Sequence, residues 1–328
     1  MLTRYPTDDE GGSVTDAEHA RLLVEVSRDY YLDNRSKVDI AQYRGISRFQ
    51  VARLLAEARE SGIVRIEISP PAHLDTDRAR RLADRLGARE VVITGSGGSP
   101  AATRESVARA LAGVVATHVR EGATLGVSWS RTIELAVRHL DPLPPCDVVQ
   151  LVGALPVDGS GDSLDMIQAF RRMPGVRTWP VWSPLLVADP GTAAGMRRQP
   201  EIAAALDRAD ALDLAVVAVG AWTASGSTVF PQVTGDERRA AGAAGTVAEC
   251  SGRLFDAEGR RVVTPLDARV VGVTLDQLVR TPEVVTAGYG RQAAPGLRAA
   301  VAGGIATTLV CDDAAASALE EQVDAVRA

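Results

Sequence analysis

The first regular feature of the chain is a helical spacing of apolar residues. From Asp16 onward Leu23, Val26 and Tyr30 share one face, up to a break at Leu32-Asp33-Asn34. A short second helix is predicted over Lys37 to Tyr43, burying Val38, Ile40 and Ala41. Arg44-Gly45-Ile46 then makes a turn, with Gly45 free to take a positive φ and Ser47 standing where an N-cap belongs. In the third helix Val51, Leu54, Leu55 and Ala58 (i, i+3, i+4, i+7) form the inward stripe, leaving Arg48, Phe49, Gln50 and Arg53 on or near the opposite face. Gly62 ends it. The stretch IVRIEIS alternates apolar and polar and predicts a β-wing, which Pro70-Pro71 closes.

Residues 72 to 88 predict a charged amphipathic connector helix with Leu74, Leu82 and Leu86 on its apolar side, a possible dimer contact. Beyond it the runs EVVIT, TLGV, DVVQLV, LAVVAV, RVVGV, EVVTA and TTLVC alternate with Ala-rich helical stretches. Strands alternating with helices imply a parallel sheet covered on both faces. The expected organisation is a disordered tail at 1–16, a winged helix-turn-helix at 17–70, a linker helix at 71–88 and an α/β domain at 89–328.

Composition narrows the function classes. The chain has 328 residues, 46% hydrophobic and 24% charged, enough for a sizeable core, and no apolar run approaches the ~18 residues that span a bilayer. A membrane-spanning protein is therefore excluded. The polar start, MLTRYPTDDEGGSVTD, has no apolar signal segment, which leads to the expectation of a cytoplasmic protein. Cys146, Cys250 and Cys311 are far apart and lack a CxxC, which predicts small buried hydrophobes rather than disulfides or zinc ligands. His19, His73, His118 and His139 have no ligand spacing, so no metal and no cofactor is expected. Lys37 is the single lysine, which removes a lysine Schiff base, a pyridoxal-phosphate lysine and a Walker lysine from the rest of the chain.

Charge is unevenly placed. Against a net −6, the segment 35–65 has seven basic side chains (Arg35, Lys37, Arg44, Arg48, Arg53, Arg59, Arg65) and three acidic ones (Asp39, Glu57, Glu60). A small basic module is thus attached to an acidic body. Helix, short helix, glycine turn and Ser-capped helix form the pattern of a helix-turn-helix, whose second helix presents its first residues to base edges in the major groove of double-stranded DNA. Arg48 and Arg53 suit guanine or phosphate, Gln50 suits adenine, Ser36 and Lys37 suit backbone phosphate, and Ser47 caps the reading helix. The competing reading is a solvated helical bundle with a charged face. Phe49 is expected to cover the module's core rather than touch a thymine methyl.

KVDIAQYRGISRFQVARLLAEARESGIVRIEI resembles the N-terminal module of the SorC/DeoR-type sugar-binding transcriptional regulators. The resemblance puts Ser47, Arg48 and Arg53 at reading-helix positions. Tyr43 stands where the family usually has leucine, a change expected to affect packing more than reading.

The resemblance continues along nearly the whole chain from residue 17. It implies a Rossmann-like parallel-sheet effector domain related in fold to sugar-phosphate isomerases and deaminases. After TLGV, a small-residue loop enters a helix, and Ser128, Ser130 and Thr132 with Arg131 could hold an anionic or hydroxyl-rich ligand, an uninvolved N-cap being the alternative. GVSWSRTIELA resembles the family's ligand-cradling loop. The expected effector-binding residues are Ser128, Trp129, Ser130, Arg131, Thr132, Gly220, Trp222, Thr246 and Gly290. Trp129 and Trp222 follow predicted strand ends and could stack on a ligand, whereas Trp179 and Trp182 are expected to pack loops.

Two departures bear on the ligand. Gly245-Thr246-Val247 stands where the family commonly has Gly-Asp-Ile, and Ala293 stands where it has a phosphate-side lysine, so a neutral sugar, polyol or other small polar molecule is favoured, with a sugar phosphate as the alternative if Arg131 or Arg291 substitutes. The chain is thus expected to be a ligand-responsive DNA-binding regulator, at least dimeric and by resemblance tetrameric, and not an enzyme. The rival is an isomerase or deaminase of the related fold, with Asp158, Asp162 and Asp189 as candidate bases.

Overall fold

The computed structural model describes residues 11–33, 35–64, 76–155 and 163–327, and separates into two compact units, up to Ile68 and from Ser69 onward. The predicted wing, Asp158 and Asp162 lie outside the described residues, apart from Ile63 and Val64 at the start of the wing.

The first unit is three helices, α1 (Gly11–Tyr31), α2 (Lys37–Arg44) and α3 (Arg48–Glu60). The first of these begins at Gly11, inside the stretch expected to be a tail. Ser36 and Ser47 each close a capping box with the residue three places on, Asp39 and Gln50, so both helix starts have their free N–H groups occupied. Gly45, at φ +66, ends α2 in the left-handed region that an L side chain resists. Leu23, Val26, Ile40, Val51, Leu54, Leu55 and Ala58 form the core. Arg44 ties α2 to α1 through Asp29 and Glu25, at 2.7 and 2.8 Å. Val38, expected inside, is exposed, whereas Ile40 is buried and Ala41 packs partly buried against the same core.

The second unit begins with α4 (Thr76–Leu86), β1 (Glu90–Thr94), α5 (Pro100–His118), β2 (Thr124–Val127), α6 (Arg131–Val137), β3 (Cys146–Gln150), α7 (Ser163–Arg171) and β4 (Val176–Trp179). It continues through α8 (Pro190–Arg197), α9 (Pro200–Arg208), β5 (Leu214–Val217), β6 (Val219–Ala221), α10 (Gly235–Ala243), β7 (Ala248–Cys250) and β8 (Arg253–Phe255). It closes with α11 (Leu275–Arg280), β9 (Val284–Gly288), α12 (Ala294–Ala302), β10 (Thr308–Asp312) and α13 (Asp313–Arg327).

Seven strands make a parallel sheet in the order β1-β10-β9-β5-β2-β3-β4. Successive strand residues feed two different cores. Val92, Leu125, Val148, Leu214, Val216, Val285 and Val310 meet α5, α6 and α7, while Val91, Val149, Ala215, Val217, Val284 and Leu309 meet the other layer, which contains α12 and α13. Burial on both faces is why these strands read as continuous apolar runs. All three cysteines are buried and unpaired, as their composition suggested.

The sequence reading needs three corrections here. LAVVAV is not one strand: β5 stops at Val217, and Val219 begins a separate three-stranded antiparallel sheet, β6-β7-β8. RVVGV forms only isolated bridges, Val270 to Leu186 and Gly272 to Val152. The strand β4 and the β7–β8 hairpin were not anticipated. Among the described residues no helix is long and apolar enough to cross a membrane.

Candidate functional site

The topology of the large sheet selects a location. From β2 the chain moves on to β3 on one side, and from β5 it moves on to β9 on the other, so the connections diverge between β2 and β5. In open α/β sheets that divergence leaves a crevice beyond the carboxyl ends of the strands. Two adjoining hollows lie there, sharing Thr228.

The inner hollow is small, about 30 Å³, and is lined by Ser128, Trp129, Gly153, Ala218, Thr228, Glu249 and Ser251 among others. Ser128 follows β2 directly; its Oγ accepts the Ala218 N–H at 2.9 Å and so locks the two diverging strands together. Glu249 is the acidic group. It sits in the middle of β7, 6% exposed, with Oε1 accepting from the Ser227 hydroxyl at 2.9 Å and Oε2 from the Gly252 N–H at 3.0 Å. Burial outweighs these two donors and pushes its carboxyl up to about 7.

The placement of Glu249 follows from a tight hairpin. Ser251 and Gly252 both have positive φ, 56 and 75, and form the two-residue link between β7 and β8. Such a turn matches the twist of its flanking strands and aims the Gly252 N–H back at the glutamate. Buried Arg253 anchors the hairpin by donating to the carbonyls of Asp267 and Val273 at 2.8 and 2.9 Å. Gly220 leaves the room the carboxylate needs, since a Cβ there would lie 2.9 Å from Glu249 Oε1.

The outer hollow is an open cleft of about 650 Å³. Arg104, Ser130, Arg131, Thr132, Gln232 and Tyr289 belong to its wall. The Arg104 guanidinium donates to the Tyr289 hydroxyl at 2.6 and 3.0 Å and lies 5.4 Å from the ring centroid. Among the described residues neither Arg104 nor Arg131 has a carboxylate partner, and among them no Asp or Glu lines this cleft. Two guanidiniums beside hydroxyls, with a buried carboxyl deeper in, fit a small hydroxyl-rich molecule carrying negative charge at one end.

The basic module presents a different chemistry. Arg48, Phe49, Gln50 and Arg53 are all exposed on the first turns of α3, away from its buried stripe. Gln50 is partly committed, since its Oε1 accepts the Ser47 N–H at 2.9 Å, leaving only its amide NH₂ for an outside partner. Ser36 is likewise engaged with Asp39, and Lys37 lies 5.4 Å from the Tyr30 ring.

Comparison with known proteins places the chain in a family. The family model described as "Putative sugar-binding domain" matches residues 71–319. This chain belongs to the SorC/DeoR-type sugar-binding regulator family. The transcriptional regulator LsrR of Enterobacter sp. strain 638 is 26% identical over 309 residues, 91% of this chain and 92% of that protein. The deoxyribonucleoside regulator of Bacillus subtilis strain 168 is 26% identical over 311 residues, 93% and 98% of the respective chains. In fold the chain is similar to the full-length sorbitol operon regulator SorC of Klebsiella pneumoniae, with a TM-score of 0.68 at 21% identity over 92% of this chain and 99% of that one.

Within this SorC/DeoR-type framework the structure rearranges the expected effector set. Ser128, Trp129, Ser130, Arg131 and Thr132 do line the paired hollows. Ser130, however, spends its hydroxyl as the N-cap of α6, accepting from the Ile133 N–H at 3.1 Å, and α6 has only seven residues. Trp222 is buried edge-on against Phe230, 5.1 Å between centroids, and packs the core instead of facing a ligand. Thr246 lies outside both linings. Gly290 donates its N–H to Asp312 and orders the loop after β9 without lining either hollow. Arg291 is turned to Glu321, so it does not replace the absent lysine. Arg104 and Glu249 are the two residues that sequence reasoning missed.

Four further expectations change. Phe49 is 78% exposed and covers no core. Tyr43 is 73% exposed, its ring between the Arg35 and Arg44 guanidiniums and outside the buried core. Trp179 does pack, with the Arg208 guanidinium 3.5 Å from its ring centroid, but Trp182 is 59% exposed. Asp189, a candidate base, is the exposed N-cap of α8, bound to Thr192.

Proposed function

We propose that the chain is a transcriptional regulator that binds operator DNA through α3 and senses a small anionic, hydroxyl-rich metabolite of the sugar-phosphate class in the cleft beyond β2 and β5. The observation that carries the ligand half is the pair Arg104 and Arg131 in one cleft, with no carboxylate among the described residues of its lining. This reverses the preference for a neutral sugar, which was drawn from the two departures at Thr246 and Ala293. Glu249 is the proposed acceptor for a ligand hydroxyl, reached through the inner hollow. Arg48 and Arg53 are the proposed base and phosphate contacts, with Ser36, Lys37, Ser47 and Gln50 supporting the helix starts and the backbone contacts.

One helix-turn-helix covers one half-site, so the reading includes at least a dimer on a pseudo-palindromic site. The effector changes operator affinity only by the ratio of its affinities for the DNA-binding and DNA-released states. The relatives described above are named as regulators, which supports the same reading.

The test is a thermal-shift screen with sugars and polyols beside their phosphates, followed by operator binding with and without each hit. Stabilisation by phosphorylated compounds only, together with a change in operator affinity, is the expected result. Stabilisation by the free compounds alone would overturn the anionic assignment. Glu249 is the observation that favours the enzymatic rival, because a carboxyl near 7 is suited to proton transfer; conversion of a bound sugar phosphate, followed by NMR, would decide for that rival.

A further inference from the structure

We propose that Phe49 reads the C5-methyl group of a thymine in the major groove, making one A·T pair in each half-site a specificity determinant. The inference rests on the DNA-binding reading of α3 given above. The buried stripe of that helix is Val51, Leu54, Leu55 and Ala58. At 100° per residue the position diametrically opposite belongs to Phe49, with Arg53 four residues on beside it.

Phe49 is thus the outermost side chain of the first turn, 78% exposed. Among the described residues it is the most exposed large hydrophobic side chain, and its neighbours are polar or cationic: the Arg48 guanidinium lies 5.7 Å from its ring centroid, and Gln50 and Arg53 are on the same turns. The cores of protein–protein contacts are depleted in charge, whereas this ring lies beside the Arg48 guanidinium, with Arg53 one turn further along the helix. A polyanion is the complementary partner, and the apolar feature that a DNA major groove offers is the thymine methyl. The commitment of Gln50 Oε1 to Ser47 strengthens the assignment, because the bidentate adenine contact that would otherwise read an A·T pair from this turn is then unavailable.

The experiment uses the full chain. Preferred duplexes are selected from a random library, and each thymine of the selected site is then replaced singly by deoxyuridine, which removes the methyl and nothing else. Wild type, Phe49→Ala and Phe49→Leu are compared by equilibrium binding. The expected result is one thymine per half-site at which deoxyuridine weakens wild type about fourfold, the fold-change that corresponds to one buried methyl. In Phe49→Ala the same replacement has no effect, and Phe49→Leu retains part of it. Because the side chain is exposed, neither substitution threatens folding.

A selected site whose deoxyuridine profile is identical in wild type and Phe49→Ala overturns the proposal while leaving DNA binding intact. A library that yields no preferred sequence overturns the DNA-binding reading itself. A Phe49→Ala variant that loses an oligomeric state in sedimentation, with its site preference unchanged, assigns the ring to a contact between copies and overturns the proposal as well.

Discussion

Glu249 offers the sharpest test of the site, through the pH dependence of stability. The carboxyl is enclosed in β7, and among the described residues its ionised form is held by two donors, Ser227 and the Gly252 N–H. Burial raises it from an ordinary 4.5 to about 7. The folded protein therefore keeps a proton up to about neutral pH that the unfolded chain has already released near 4.5. Stability from this group is complete below the unfolded value and is lost as pH rises through the folded one. At 1.36 kcal/mol per pH unit the loss is about 3 kcal/mol in all, most of it between pH 5 and 8. For a unit of this size that is a fall in Tm on the order of 5–10 °C.

Glu249→Gln removes the titration. It also places an amide NH₂ beside Ser227, whose hydroxyl oxygen already accepts the N–H groups of Val229 and Phe230. The variant should be less stable than wild type at pH 5, by about 1–3 kcal/mol, and the gap should close or reverse by pH 8. Thermal and urea unfolding at both pH values measure this. A wild-type-minus-variant difference that is the same at pH 5 and 8 would refute the assignment of a buried, proton-retaining carboxyl at this position.

Arg104→Ala and Arg131→Ala should each weaken a phosphorylated effector by about ten- to a hundredfold and a free sugar little, the loss of one charge-assisted contact, read by calorimetry. Equal losses for both ligand forms would remove the guanidiniums from the anion site. Arg48→Ala and Arg53→Ala should each weaken operator binding and lower the slope of log K against log salt by about one, measured by fluorescence anisotropy; an unchanged slope would move the phosphate contacts elsewhere. Gly252→Ala should cost about 1–2 kcal/mol in urea unfolding, because φ is +75 and the new Cβ would lie 3.1 Å from Leu185 and 3.3 Å from Val270. An unshifted midpoint would mean the β7–β8 turn tolerates a side chain.

The elements that were legible in the sequence share a physical cause. The starts of α2 and α3 could be read because Ser36, Ser47 and Gly45 act locally, through hydrogen bonds and backbone sterics within a few residues. The strands β1, β2, β9 and β10 could be read because a two-sided parallel sheet demands unbroken apolar runs. RVVGV has the same composition and is not a strand: its carbonyls at Gly272 and Val273 are taken by the Arg253 guanidinium, a tertiary contact twenty residues away that no local pattern reports. Phe49 was misjudged for the opposite reason. Its position on the helix already placed it outside, but its hydrophobicity argued inward, and geometry prevailed.

The site shows where such reading fails and what could repair it. Thr246 was chosen by matching Gly245-Thr246-Val247 to the family's Gly-Asp-Ile, yet the carboxyl that faces the inner hollow is three residues further on. Alternation could not have found it, since all three residues of β7 are buried and an inward Glu249 leaves no polar-out signature. The turn could have. Ser-Gly between two short apolar segments marks a two-residue hairpin, and counting back from it pairs Cys250 with Arg253 and Glu249 with Leu254. A glutamate opposite a leucine in a hairpin with no solvent face must be enclosed. An enclosed carboxyl that is not paired with a cation is costly, and it persists where a ligand or proton uses it. Arg104 had no comparable signal: it lies on α5, a helix chosen by its apolar face, and reaches the cleft only because β1 and β2 are separated by three intervening strands that bring α5 beside Tyr289.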